Sequence, residues 1–338
     1  MKNDRIQQLK QLITEAKEFV IIPHENPDGD AMGSTLALFE FLQNKGKSVN
    51  LITPNDYPGF LKNLPHSEET INFEKSEEKA KKLIQNAEVI FTLDFNQLSR
   101  TKQIQQSLEQ STADFVMIDH HQEPTDYAKI TFSETTASST CELLYSIIDD
   151  LGESKNLTPE MAKCLYLGIM TDTGSFKFAS TTSATHRTVA HLIDAGARPE
   201  EIHQQIFDNN SLNKLKIQAK ALKNLEVIEE ARTAFTFLSD EEMNSLQTEK
   251  GDTEGIVNMG LSIKGIRFAA FFKERKQEGL VKISLRSKGE FDVNKVARKY
   301  FEGGGHKNAA GGKSEKNLEE TLDDFRNKVI AHYKNQLQ

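Results

Sequence analysis

Three side chains able to bind a divalent cation follow one apolar, strand-like run near the start of the chain. The stretch FVIIPHENPDGDAMGSTLAL, residues 19–38, places His24, Asp28 and Asp30 close together. Carboxylates at this spacing repel one another, so they would cost stability as bare protein. Each residue also has an ordinary structural interpretation, because an Asp at a helix start is usually an N-cap and a lone His usually satisfies a local hydrogen bond.

Similar side chains end two further apolar runs. The run AEVIFTLD ends at Asp94, and ADFVMIDHH ends at Asp119, His120 and His121. The carboxyl ends of parallel strands form the edge of a sheet where ligands bind, so we expect these side chains to lie together there. Asp172, in the helical stretch TPEMAKCLYLGIMTDTG, is the remaining candidate at this edge.

Such a cluster is suited to holding two metal ions. About four negative charges would meet at one edge, and two divalent cations would neutralise them. Oxygen and imidazole ligands without thiolate favour Mn²⁺ or Mg²⁺, with Co²⁺ and Zn²⁺ as alternatives. Two metals bridged by one carboxylate suit in-line displacement at phosphorus. The candidates are His24, Asp28, Asp30, Asp94, His120 and Asp172.

The pattern of elements predicts an α/β fold that positions this edge. Apolar strands alternate with amphipathic helices in the first half, which indicates a mostly parallel sheet with helices on both faces. We predict a metal-binding domain over residues 1–184, a helical linker over 185–230 and a smaller α+β domain over 231–338. Gly29 and Gly33 are expected to loosen the turn that carries the first three candidates.

Composition limits the class of protein and of ligand. The 338 residues carry a net charge of −8, which argues against a protein that coats long nucleic acid. Residues 256–314 nevertheless hold 13 Lys/Arg against 5 Asp/Glu, a local balance of +8, which suits a short anionic ligand. There is no membrane-spanning run or signal-like start, and the two cysteines suit a reducing compartment. We therefore expect a cytoplasmic protein.

Five motifs, taken in order, resemble those of a known enzyme family. HENPDGDAMGS, TLDFN, IDHH and TDTGSF look like the four motifs of the DHH phosphoesterases. EGGGHKNAAGG looks like the signature of the DHHA1 domain that accompanies them, so the resemblance covers nearly the whole chain. Length and layout are most similar to the oligoribonuclease and 3′-phosphoadenosine-5′-phosphate phosphatase (nanoRNase A) group.

The resemblance implies a role for each candidate at the sheet edge. One metal would be held by His24, Asp28 and Asp94, and Asp94 would bridge to the second. The second metal would also take Asp30, His120 and Asp172. Two catalytic residues are implied beside them: Asp119 would orient a metal-binding imidazole, and His121 would contact the phosphate or give a proton to the leaving oxygen.

The glycine-rich segment GGGHKNAAGGKS is the candidate phosphate-binding loop of the second domain. It is not a P-loop, because the first glycine of that motif would fall at Lys307 and a helix precedes the segment. Successive glycines can point backbone N–H groups at an anion. Arg286 resembles the arginine with which the family grips phosphate, although a surface salt bridge is the alternative. The implied substrate-binding residues are Arg286, Gly303, Gly304, Gly305, His306 and Asn308.

The resemblance implies a phosphohydrolase that uses two divalent ions, expected to be Mn²⁺, with a bridging hydroxide that attacks phosphorus. Expected substrates are short RNA, linear dinucleotides and 3′-phosphoadenosine 5′-phosphate, and long duplex nucleic acid and membranes are not expected partners. The active form is expected to be a monomer or a homodimer. Two alternatives stay open: a hydrolase of small phosphoanhydrides such as pyrophosphate or polyphosphate, and a nucleotide-binding module without turnover.

Overall fold

The computed structural model describes residues 2–208, 210–249 and 251–337. The chain divides into two compact units, Met1–Asn209 and Asn210–Gln338. Among the described residues, no helix is long and apolar enough to cross a membrane.

The first unit is built on a parallel sheet. Its described strands pair in the order β3-β2-β1-β4-β5-β6, and every pairing is parallel. The α/β architecture that we predicted is confirmed. The strands are β1 (Glu18–Pro23), β2 (Ser48–Thr53), β3 (Thr70–Asn72), β4 (Val89–Leu93), β5 (Asp114–Asp119) and β6 (Ile130–Ser133).

Helices cover this sheet, and one of them is buried almost all round. The helices of the first unit are α1 (Lys2–Glu15), α2 (Gly29–Gln43), α3 (Glu77–Asn86), α4 (Gln105–Glu109), α5 (Thr140–Asp150), α6 (Pro159–Asp172), α7 (Ser183–Asp194) and α8 (Pro199–Phe207). Helix α2 carries small and apolar residues on every side because α5, α6 and the sheet surround it. It therefore begins at a fixed place against the sheet edge.

The glycines of α2 and α6 allow close packing of helices, which is not the role that we expected for Gly29 and Gly33. Gly29 and Gly33 lie inside α2 rather than loosening a turn. A side chain at Gly33 would overlap the backbone carbonyl of Cys164 at 2.5 Å, and one at Gly168 would lie 2.9 Å from Asp30 Oδ1. The small residues therefore let α2 and α6 approach closely, which brings the end of α6 to the start of α2.

The second unit is a mixed sheet with helices. Described strands pair in the order β11-β12-β10-β9-β8-β7, and only β8 with β9 is parallel. The strands are β7 (Glu226–Ile228), β8 (Thr233–Leu238), β9 (Phe268–Arg275), β10 (Leu280–Ser287), β11 (Gly304–Gly305) and β12 (Ala309–Ser314). The helices are α9 (Leu212–Lys223), α10 (Asp240–Ser245), α11 (Ile256–Leu261), α12 (Val293–Tyr300), α13 (Leu318–Asp324) and α14 (Ala331–Leu337), with a π-helical segment Phe325–Ile330 between the last two.

Two stretches differ from the predicted elements. The stretch predicted to be helical over 185–230 ends its last helix at Lys223, and Glu226–Ile228 joins the second sheet as a strand. The glycine-rich segment is not an irregular loop, because β11 and β12 form a hairpin in which β12 also pairs with β10. Glycine allows this because a side chain at Gly303 would overlap the carbonyl oxygen of Gly311. The missing side chains here serve a close approach of two backbones.

Candidate metal centre

The turn from β1 to α2 positions the first group of candidates. His24 is buried, and its Nδ1 lies 2.7 Å from the carbonyl oxygen of Glu25, which therefore accepts a hydrogen bond from that nitrogen. The other ring nitrogen, Nε2, lies 3.3 Å from Asp94 Oδ2. Asp28 is the N-cap of α2, and its Oδ1 accepts from two backbone N–H groups at 3.1 Å. Besides capping α2, Asp28 belongs to the cluster of candidates. One of its carboxylate oxygens lies within 4.8 Å of possible ligand atoms of His24 and Asp94.

Asp30 is held by the N-terminus of another helix. Its side chain is buried, with 1% of the residue exposed, and its two oxygens accept the backbone N–H groups of Thr140 at 2.6 Å and Cys141 at 2.9 Å. Ser139 caps this helix, α5. The positive end of the helix dipole thus faces a buried carboxylate and offsets part of its charge.

Thr140 is a positioning residue that the sequence analysis missed. Its hydroxyl donates a hydrogen bond of 2.9 Å to Asp94 Oδ1, while its backbone N–H contacts Asp30. The run Ser138-Ser139-Thr140 before an apolar helix signals an N-cap. That signal marks where the helix begins, but it does not say which carboxylates the helix will face.

Asp94 lies between the two sets of candidates. It follows β4 with a φ of 65°, a left-handed conformation that is uncommon outside glycine and asparagine or aspartate. Its Oδ2 faces His24 Nε2 at 3.3 Å, and its Oδ1 lies 3.6 Å from His120 Nε2. The two oxygens of Asp94 therefore face two different imidazoles, one from each set of candidates.

The residues that follow β5 complete the edge. His120 Nε2 lies 3.8 Å from Asp30 Oδ2 and 3.4 Å from Asp172 Oδ2, at the end of α6. Asp119 is fully buried and accepts from the backbone N–H of His121 at 3.0 Å and from its Nδ1 at 2.7 Å. We expected Asp119 to orient a metal-binding imidazole; the imidazole it contacts in this way is that of His121, which we expected to face the phosphate.

The candidates form compact groups of possible ligand atoms. Within each group, one atom per residue lies within 4.8 Å of the others. The groups in the first unit are His24, Asp28 and Asp94; Asp30, His120 and Asp172; and Asp94, Asp119 and His121. The first two contain together the six residues that the sequence analysis named as metal ligands.

Several of the clustered carboxylates and imidazoles have raised pKa values. Burial raises the pKa of Asp30 well above its usual range, and it raises the pKa of Asp172 to about 6. Burial alone would lower the pKa of His120, but the charges of Asp172, Asp94 and Asp30 raise it to about 9. Protons on these groups offset the clustered negative charge, as bound cations would. The donor set therefore fits divalent metal ions.

The residues predicted to bind substrate in the second unit gather at one hairpin turn. His306 and Ala309 close the turn, with the His306 N–H donating to the Ala309 carbonyl at 2.7 Å. Arg286 on β10 pairs with Ala309 across the sheet, and its Nη1 donates to the Leu285 carbonyl at 3.0 Å. Gly304 and Gly305 form β11, whose glycines leave the backbone uncovered by side chains.

Asn308 has a structural partner of its own. Its amide nitrogen donates to Ser287 Oγ at 2.8 Å and to the Gly289 carbonyl at 3.0 Å. These bonds tie the turn of the hairpin to the loop that follows β10. The contacts of Asn308 therefore determine where the turn lies, which in turn positions His306.

Comparison with known proteins identifies the class of this fold and site. Residues 18–169 match the DHH family, N-terminal domain, and residues 234–335 match the DHHA1 domain. The chain belongs to the DHH family and is a phosphoesterase, a hydrolase, as the sequence analysis predicted.

Particular relatives are similar over most of their length. The bifunctional oligoribonuclease and PAP phosphatase NrnA of Bacillus subtilis is 29% identical over 292 residues, which are 85% of this chain and 86% of that one. The protein of the same name from Thermus thermophilus is 30% identical over 296 residues, 86% and 82% of the two chains. The crystal structure of an exopolyphosphatase-related protein from Bacteroides fragilis is 37% identical, with a TM-score of 0.94 over 99% of this chain and 97% of that one.

Proposed function

We propose that this protein cleaves short oligoribonucleotides and linear dinucleotides to mononucleotides. We propose that it also removes the 3′-phosphate of 3′-phosphoadenosine 5′-phosphate. Both reactions would use two bound divalent ions, of which Mn²⁺ is the first choice. The observation that carries the proposal is the position of Asp94. Its two oxygens face two different imidazoles, each of which belongs to a separate group of possible metal ligands.

The proposed ligands follow these groups. His24, Asp28 and Asp94 would hold one ion. Asp30, His120 and Asp172, together with the second oxygen of Asp94, would hold the other. Bound divalent ions would supply Lewis acidity towards the phosphoryl oxygens and would lower the pKa of an attacking water.

The protein's own groups would position the substrate and move one proton. Asp119 accepts a hydrogen bond from His121 Nδ1, which keeps a proton on that nitrogen and orients the imidazole ring. We assign to His121 the transfer of a proton to the leaving oxygen. Asp119 would act through His121 and not on the substrate.

The second unit would recognise a phosphate that is not cleaved. Arg286 offers a planar guanidinium at the hairpin turn, and such a group can hold phosphate with two parallel hydrogen bonds. His306, the backbone of Gly303 to Gly305 and the turn held by Asn308 would complete that recognition. The excess of basic residues over 256–314 supports an anionic ligand for this unit.

The names of the relatives support particular substrates. Two are named for oligoribonuclease and PAP phosphatase activity, and a third is named exopolyphosphatase-related. Short RNA and 3′-phosphoadenosine 5′-phosphate are therefore the first substrates that we propose. Hydrolysis of polyphosphate or pyrophosphate is the alternative.

One assay panel tests this proposal. Purified protein is given RNAs of graded length, a linear dinucleotide, 3′-phosphoadenosine 5′-phosphate, pyrophosphate and polyphosphate, each with Mn²⁺ and with a chelator. We expect mononucleotides from the short RNAs only with Mn²⁺, and none from the His120→Ala variant. Asp194→Ala, on the exposed end of α7, is the control and should keep full activity. Faster release of phosphate from pyrophosphate or polyphosphate than from any nucleotide would reject the proposal in favour of the alternative.

A further inference from the structure

The segment that follows Asp172 has an unusual backbone. Gly174, Ser175 and Phe176 all have left-handed φ values, of 57°, 60° and 65°. Side chains other than glycine rarely adopt this conformation, and such residues tend to cluster at functional sites. The Ser175 N–H donates to the Met170 carbonyl at 2.7 Å, which holds the turn against the end of α6. The chain therefore folds back immediately beside a proposed metal ligand.

This turn holds an exposed aromatic ring, that of Phe178, six residues after Asp172 in the chain. The ring of Phe178 lies against Gly174, where an added side chain would come within 2.5 Å of the ring atom Cζ. Glycine at 174 is thus required for the ring to take this position. Phe178 nevertheless remains 40% exposed, although phenylalanine is usually buried in soluble proteins.

A second exposed ring is joined to the same turn through α8. His203 Nδ1 lies 2.8 Å from the Pro199 carbonyl, which can only accept, so this nitrogen carries a proton. Its Nε2 can then accept a hydrogen bond from the Ser175 hydroxyl at 3.1 Å. The His203 ring contacts that of Phe207, with centroids 5.7 Å apart, and Phe207 is 46% exposed.

Two further rings, those of Tyr166 and Phe176, pack in the same neighbourhood. Tyr166, which is buried, contacts Phe176 with centroids 5.9 Å apart and His203 at 6.2 Å. Phe178 and Phe207 are the phenylalanines among the exposed large hydrophobic residues of the described chain, and both belong to this neighbourhood. We call Phe178, His203 and Phe207 the aromatic platform.

We propose that the aromatic platform stacks the bases of the substrate while the phosphate between them lies at Asp172. The proposal rests on the proposed function and gives it a reason to prefer nucleotides. Aromatic rings bind bases of any sequence, since every base has a π-face. Pyrophosphate and polyphosphate have no base and would gain nothing from these rings.

The aromatic platform is continuous along the chain with the cluster of candidate ligands, which favours a nucleotide as its occupant. The residues that hold Phe178 and His203 in place follow Asp172 directly in the chain. Lys177, which is exposed, directly precedes Phe178 in the chain. A ring for the base and a cation for the phosphate thus lie within one short segment.

The absence of tryptophan from the chain allows a direct test of stacking. In the Phe178→Trp variant, a stacked base should quench the indole fluorescence. We expect quenching by adenosine 5′-monophosphate and none by ribose 5-phosphate at the same concentration. Ile193→Trp, at a site 43% exposed on α7, is the matched control and should respond to neither compound. Equal responses to both compounds, or no response to either in Phe178→Trp, would overturn the proposal whether or not the protein turns over.

Kinetics provide the second test. Phe178→Ala should raise KM for a linear dinucleotide about 10-fold with little change in kcat, since stacking of one base is lost. Phe178→Trp should restore KM. An unchanged KM in an enzyme that cleaves the dinucleotide normally would reject the platform and leave the proposed function standing.

One further variant distinguishes a base from a second copy of the chain as the partner of these rings. If the exposed rings instead form an interface between copies, Phe207→Ala should reduce the molar mass measured by light scattering. We expect no change in mass. A fall in mass with unaltered nucleotide binding would overturn the proposal.

Discussion

The sheet edge of the first unit and the glycine hairpin of the second, our two candidate sites for a charged ligand, are built in different ways. At the sheet edge most of the candidate ligands are buried carboxylates and imidazoles, and the N–H groups of a helix and a threonine hydroxyl hold Asp30 and Asp94. At the hairpin, the glycines and His306 are half-buried, and backbone bonds close the turn. A site for small cations needs fixed charges at short distances, whereas a site for phosphate can stay open to solvent.

Glycine serves both regions, but for different reasons. Gly168 leaves room for Cys141 and Asp30, so it allows α6 to pack against α5 and α2 at the sheet edge that carries the candidate metal ligands, which we call the metal edge. Gly303 leaves room for a neighbouring strand. Gly304 has no such constraint, because an added side chain would meet only Asn294 Oδ1, at 3.6 Å. The contrast between these positions can be tested by substitution.

The largest effect is expected at the metal edge. Asp94→Asn keeps the shape of the side chain and its bond from Thr140, but removes the charge that two cations would share. We expect kcat to fall by at least about 10³-fold, since the stabilisation of charge by the metals is lost. Asp194→Asn is the control for loss of a carboxylate. Steady-state kinetics with a dinucleotide and Mn²⁺ measure the change, and a kcat within about tenfold of the native value would contradict the role of Asp94.

The next effect concerns stability. Gly168→Ala forces a methyl group against Cys141 and to within 2.9 Å of Asp30 Oδ1, and overpacking of this kind costs about 1–3 kcal/mol. We expect Tm to fall by about 2–4 °C for each kcal/mol. The matched change Gly304→Ala has room and should leave Tm nearly unchanged. Equal Tm values for the two variants would show that the helix contact is not tight.

A smaller effect is expected at the hairpin. Arg286→Lys keeps the charge but loses the planar fork that can hold phosphate by two bonds. We expect KM to rise about 10-fold with kcat little changed. The opposite pattern, a loss of kcat at constant KM, would place Arg286 in the chemical step and remove the distinction between the two regions.

The smallest expected effect is a pH dependence of the metal-free protein. The folded state raises the pKa of His120 from 6.5 to about 9. A proton on this ring therefore stabilises the fold below about pH 6.5, and the stabilisation is lost as the pH rises through 9. The raised pKa of Asp172, about 6, acts in the same direction at lower pH, although its side chain is 30% exposed and solvent screens it.

Thermal melts with a chelator and with Mn²⁺ measure this dependence. We expect the metal-free Tm to decline between pH 6.5 and 9, and Mn²⁺ to raise Tm more at pH 8.5 than at pH 6. The hairpin, which lacks such buried acids among its described residues, should not contribute. A metal-free Tm that rises over this range would contradict the arrangement of charges at the sheet edge.

Much of the metal edge could be predicted because its residues end regular elements. His24 and Asp94 each follow an apolar strand and Asp119 ends one, and the periodicity of those strands is local in the sequence. Thr140 could not be assigned to the site in this way, because its importance lies in which carboxylates face the start of α5. The glycine hairpin was missed for a similar reason, since its partner strand β10 lies more than one element away.

The sequence alone determined the alternation of strands and helices, the kinds of ligand atom at the strand ends and the balance of charge in each half. These depend on neighbours along the chain and on residue chemistry. Only the tertiary structure decided that Asp94 faces two imidazoles, that Asp119 contacts His121, and that His203 connects the turn after α6 to the exposed ring of Phe207. Such relations depend on packing between distant segments, where glycines at Gly168 and Gly174 allow approaches that no local pattern specifies.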